Sequence, residues 1–88
     1  MNAQRRKDIE AIRARLEQMQ TMRDDIRDEV DSLRADENDA RENLPDSLKE
    51  GEKGEKMQSA VDALQEVYDA LDGLDFDELF SQLDTAGE

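Results

Sequence analysis

The sequence predicts an all-α protein: a long coiled-coil-type helix folded back as a helical hairpin, then a short C-terminal helix, within an oligomeric helical bundle. Three observations predict it. Apolar residues recur in heptad rows from Ile9 to Leu44, a second set does so from Met57 to Leu74, and helix-breaking residues gather around Pro45. Composition points to the oligomer. Of 88 residues, 42% are charged and 35% apolar, with a net charge of −13. A chain this short and polar buries little core alone. It has no Cys to form disulfides and no His to hold a transition metal. Association with further copies is the support that remains.

The first helix is predicted over about residues 4–42. With Ile9 at heptad position a, Leu16, Val30 and Leu44 share that position, and Ile12, Met19, Ile26, Leu33 and Ala40 fall at d. A 3.5-residue apolar repeat held this long is the coiled-coil signal, and it overrides the disorder that composition alone suggests. Arg23 and Glu37 interrupt the a row; an interchain pair between them would fix an antiparallel register. Glu10 with Arg13, Asp24 with Arg27, and Arg27 with Asp31 are spaced for intrahelical pairs of about 0.2–0.5 kcal/mol each.

Residues 43–54 are predicted as a connection. Leu44 precedes Pro45 and is pushed out of the helical region, Asp46 or Ser47 is placed to cap one new turn, and Gly51 and Gly54 lie in a wholly polar stretch. A second helix follows over about 55–72. Met57, Leu64 and Leu71 share one heptad position and Ala60, Val67 and Leu74 the other, while Val61 and Tyr68 widen the stripe. Gly73 is a natural C-cap. Asp75 and Glu78 form a capping-box-like start to a short helix over about 76–83 carrying Phe76, Leu79, Phe80 and Leu83. The last residues, from Asp84, are expected to fray. All three helices are assigned to one domain spanning 1–88.

At 1.5 Å per residue, about 35 residues of the first helix span about 50 Å and about 20 residues of the second about 30 Å, so the second cannot cover the first. The short helix offers part of the missing cover and a second copy the rest. The predicted oligomer seam is Ile9, Ile12, Leu16, Met19, Ile26, Val30 and Leu33 in the first helix, with Leu64, Val67 and Leu71 in the second.

Charge is divided unevenly. Residues 1–16 hold five bases and two acids, whereas residues 35–88 hold seventeen acids and four bases. Arg5, Arg6, Lys7, Arg13 and Arg15 are therefore the candidate ligand site, an anion or phosphate cluster built where N-termini meet in an oligomer, with Tyr68 as the ring available to stack a base. The plainer explanation is neutralisation of the acidic C-terminal residues Asp75, Asp77, Glu78 and Asp84. Asp24, Asp25, Asp28, Glu29, Asp31, Asp36, Glu37 and Asp39 are the candidate phosphate mimics, and their plainer explanation is a solvated helix face.

Catalysis finds no support. The Ser residues lack a His base, the carboxylates are too many for one pair to stand out, and no glycine-rich phosphate loop is present. The stretch from Asp36 misses the ligands and glycine of a calcium loop, and a loop placed on Gly73 would begin at Tyr68. No enzyme activity, metal or cofactor is expected. The acid excess argues against direct duplex binding, and no apolar run is long enough for a membrane span. The N-terminus lacks the apolar block of a secretory signal, so an intracellular setting is expected. Met19, Met22 and Met57 read as seam fillers.

The run Glu42-Asn43-Leu44-Pro45-Asp46-Ser47-Leu48, followed by Gly54-Glu55-Lys56 and by Ala60-Val61-Asp62-Ala63-Leu64, resembles a group of short acidic helical proteins encoded by bacteriophages and prophages. These carry a long charged helix, an Asn-Leu-Pro-acid-Ser turn and a second helix rich in Ala, Leu and Asp. The resemblance spans roughly residues 1–74. It implies a phage setting and action in the cytoplasm of a bacterial host cell, and it assigns no role to any residue. With the exclusions above, it favours a non-catalytic homo-oligomeric binding protein that sequesters or inhibits a component of host defence. The partner is then a small anionic ligand, such as a nucleotide signal at the Arg-rich end, or a host nuclease or effector whose basic cleft accepts an acidic mimic. A structural coiled-coil accessory role is the third possibility.

Overall fold

The computed structural model describes residues 2–88. It is all-α: α1 (Ala3–Glu42), α2 (Asp46–Lys49), α3 (Glu52–Asp72) and α4 (Phe76–Ala86). The chain divides into two compact units. One comprises the stretch ending at Asp24 together with Leu74–Glu88, the other Asp25–Gly73.

α1 begins one residue earlier than the sequence predicts because Asn2 caps it, its side-chain oxygen accepting from the Arg5 N–H at 2.8 Å. No Gly or Pro interrupts the following forty residues.

In the second unit the end of α1, α2 and α3 form a helical hairpin. The chain leaves α1 through Asn43 N–H to Asp39 C=O at 3.0 Å and Leu44 N–H to Arg41 C=O at 3.1 Å. The predicted single turn is present as α2, but neither Asp46 nor Ser47 caps it. Pro45 is its N-cap, and the Pro45 carbonyl accepts from both Leu48 and Lys49 at 2.9 Å. Proline suits this position because its fixed φ and missing N–H cost nothing where the preceding helix has ended.

α3 starts at Glu52, three residues before the predicted boundary, so Gly54 is inside a helix rather than in a loop. Packing explains it. Gly54 is buried, and a Cβ at this position would stand 1.9 Å from the Lys49 carbonyl oxygen. The glycine lets α3 begin against the backbone of α2, and Arg41 Nε donates to the Gly54 carbonyl at 3.1 Å. Along α3 the buried Val61 and the half-buried Met57, Leu64, Tyr68 and Leu71 form the inner row, while Val67 is 46% exposed. Gly73 ends the helix as predicted, in a right-handed conformation with its N–H on the Asp69 carbonyl at 3.0 Å.

In the first unit α4 runs antiparallel to the first half of α1. Asp75 caps it, accepting from the Glu78 N–H at 2.9 Å. Phe76 is the anchor at 4% exposure, with the Phe80 ring 6.5 Å away and Leu83 half-buried beyond. α4 continues to Ala86 instead of fraying at Asp84, because Asp84 is held by Arg13 and Gly87 N–H closes on the Leu83 carbonyl at 3.0 Å.

Gly54→Ala is expected to lower stability although alanine is the better helix former. The overlap with Lys49 costs about 1–3 kcal/mol, against a propensity gain of about 1 kcal/mol. Gly87→Ala, whose Cβ would meet nothing closer than 3.5 Å, is the control. Urea titration followed by circular dichroism checks both; equal midpoints for the two variants would refute the packing explanation.

Candidate functional site

Two faces of α1 and its basic end are the candidate surfaces. Besides Asp24, Asp31, Ala35 and Asn38, which lie at positions b and f, the half-buried residues of α1 fall at Ile9, Arg13, Leu16, Gln20, Arg23, Arg27, Val30, Arg34, Glu37 and Arg41. These are heptad positions a and e, not the a and d rows that the apolar pattern predicts. The e row is Arg13, Gln20, Arg27, Arg34 and Arg41, and its guanidinium groups were not singled out by the apolar periodicity. Recurrence of Arg at 13, 27, 34 and 41, multiples of seven apart, is the signal that identifies it.

Arg13, Arg27 and Arg41 send their guanidinium groups across to the facing helix, as long cationic side chains can, whereas Arg34 stays on α1. In the first unit Arg13 donates to the Phe80 carbonyl at 3.3 Å, pairs with Asp84, and sits 4.9 Å from the Phe80 ring centre. Arg23 stands 5.0 Å over Phe76 and donates to the Leu74 carbonyl at 3.1 Å and to Asp24 at 2.8 Å. In the second unit Arg27 pairs with Asp72 at 3.0 Å. Arg34 pairs with Asp31 at 2.9 Å. The candidate Arg23–Glu37 interchain pair therefore loses its base, since the Arg23 side chain is 11% exposed and committed within its own chain.

The candidate ligand residues are divided. Arg13 is engaged with the acidic C-terminal segment, as neutralisation requires. Arg5, Arg6, Lys7 and Arg15 are exposed and carry no ion pair among the described residues. Arg6 and Arg13 line a shallow groove with Ile9, Glu10, Leu83, Asp84 and Gly87. The two carboxylates there oppose a phosphate. Arg15 lines a second open groove with Ile12, Leu16, Gln18, Met19 and Met22, one cation beside an apolar strip. Tyr68 belongs to the other unit, half-buried in the inner row of α3, so it does not share a unit with the basic cluster.

The d row faces solvent. Ile12 is 48% exposed, Met19 55%, Ile26 42% and Leu33 56%, whereas Ile9, Leu16 and Val30 of the a row are half-buried. Of the acidic stretch on α1, Asp24, Asp28 and Asp31 pair with Arg23, Arg27 and Arg34. Asp25, Glu29, Asp36 and Asp39 are exposed and have no cationic partner among the described residues. At 100° per residue these four fall within about 80° of arc, on the side of α1 opposite the a/e row. No helix among the described residues is long and apolar enough to cross a membrane.

Comparison with known proteins finds no matching family, no matching curated relative and no matching solved structure.

The Arg13 contacts differ in kind. Asp84→Asn removes an exposed ion pair and is expected to cost less than about 1 kcal/mol. Arg13→Ala also removes the stem and the contact with the Phe80 ring, adding about 0.5–1 kcal/mol. Chemical denaturation of both variants in high and low salt checks this. An Arg13→Ala loss that vanished in high salt would mean that charge alone held α4.

Proposed function

We propose that the protein is a non-catalytic, phage-type binding protein that inhibits a component of host defence in the bacterial cytoplasm. It does so by offering a nucleic-acid-like acidic helix face to a basic cleft on a host nuclease or effector. One observation carries the reading: Asp25, Glu29, Asp36 and Asp39 form a row on the outer side of α1 with no cationic partner among the described residues, although arginines are abundant on the same helix. Each arginine of the inner rows is spent on α3, α4 or a neighbouring acid, which leaves this row to project negative charge. Its ends are fourteen residues apart, about 21 Å. A surface of this kind accelerates capture by a positively charged cleft and loses that advantage as salt rises.

Capture of an anionic nucleotide signal is the second reading, favoured by the exposed Arg5, Arg6, Lys7 and Arg15, none of which has an ion pair among the described residues. It is weaker on electrostatic grounds. The groove at Arg6 also holds Glu10 and Asp84, and the net charge of −13 repels an anion at long range.

Expression of the chain in bacterial strains carrying different nuclease-based defences, followed by plating of a sensitive phage, tests both readings. The unmodified chain is expected to restore plating on at least one strain. The Asp25→Asn, Glu29→Gln, Asp36→Asn, Asp39→Asn variant should plate like the empty host, while Arg5→Glu with Arg6→Glu should protect like the unmodified chain. The reverse pattern would replace mimicry by anion capture, and no protection on any strain would overturn inhibition of host defence.

A further inference from the structure

We propose that the exposed d row of α1 is the interface for a second copy of this chain, packed antiparallel about a two-fold axis beside Met22. This inference stands apart from the choice of host target. It begins with a mismatch between sequence and packing. Ile12, Met19, Ile26 and Leu33 recur at seven-residue intervals, yet the chain's own helices use the neighbouring a and e rows and leave all four between 42% and 56% exposed. A strict seven-residue apolar repeat is the pattern of a helix that supercoils with another helix over the same length.

The chain also needs the contact. Among the described residues only Val61 and Phe76 are buried hydrophobic side chains, too few for a domain of this size to rest on.

Charge selects the occupant and its direction. Residues 3–22 of α1 carry five bases and three acids, and residues 23–42 carry four bases and nine acids. A parallel partner would set the acidic halves against each other. An antiparallel copy sets each basic half against an acidic half, twice, by symmetry. The register that engages all four apolar residues places Ile12 opposite the partner's Leu33 and Met19 opposite the partner's Ile26. It centres the axis between residues 22 and 23. Met22, 61% exposed on the flank of the row, then meets its own counterpart.

The chain has no native cysteine, so single-cysteine variants report the geometry directly. Met22→Cys should form a disulfide-linked dimer on mild oxidation. Ile12→Cys and Leu33→Cys should each stay unlinked alone and link to each other when mixed, with about tenfold more dimer than either alone, because a disulfide needs Cα atoms within about 7 Å. Sedimentation equilibrium of the unmodified chain should give twice its 10.1 kDa. Self-linking of Ile12→Cys as strong as that of Met22→Cys would overturn the antiparallel arrangement. A sedimenting monomer would overturn the interface altogether and assign the row to a different protein.

Discussion

An inward-facing ladder of arginines links α1 to the segments that face it, beside a small hydrophobic core. The sequence supplies three aromatic residues and 35% apolar residues, so helix packing cannot rely on large side chains. Arg13, Arg23, Arg27 and Arg41 substitute for them. Each lays an aliphatic stem along α1 and ends on a group of the facing helix or its flanking turn: the Phe80 carbonyl, the Leu74 carbonyl, the Asp72 carboxylate and the Gly54 carbonyl. Three of the four acceptors are backbone oxygens, which do not depend on a side-chain rotamer. Arginine is suited to this because its planar head keeps its charge and reaches two acceptors at once. Lysine at the same positions would supply charge without the fork.

The same ladder explains which parts of the structure could be foreseen. Helix existence and order were legible, because apolar periodicity, Pro45 and Gly73 act locally and need no knowledge of the facing helix. The rotation of α1 was not legible in the same way. An apolar count places a and d inward. The structure places a and e inward, because e carries the arginines that find acceptors on α3 and α4. An expectation built on hydrophobicity treats Arg27 or Arg41 as a surface residue. Their stems are the reason that it fails. Only the seven-residue recurrence of arginine marks the row.

Gly54 shows a second limit of local reasoning. Two glycines in a polar stretch read as a loop, and Gly51 does stand outside the helix as its N-cap. Gly54 is inside because the absent side chain makes room for the Lys49 carbonyl, a contact with a segment five residues earlier that no propensity scale contains. For the candidate sites, the cluster at Arg5, Arg6, Lys7, Arg13 and Arg15 was visible as a charge bias. Which of its members are already occupied was not. Arg13 is claimed by Asp84 and Phe80 on a helix seventy residues away in sequence, whereas its neighbours project into solvent.

Filling an inner row with arginines changes what the remaining surface is available for. Packing by a and e uses the bases and spares the apolar d row, which would be the first to be buried in a conventional hairpin. The acids that these bases do not reach collect on the opposite side of α1. One helix therefore carries a cationic inner face, an apolar flank and an acidic outer face around its circumference. Each face answers to a different force: hydrogen bonding to backbone, burial, and long-range attraction. These forces weaken under different conditions. Salt screens the acidic face within a Debye length of about 10 Å at 0.1 M and leaves the burial of an apolar row nearly untouched. Contacts made by the apolar flank would accordingly persist at ionic strengths that release anything held by the acidic face, so assembly and target capture can be separated by salt alone.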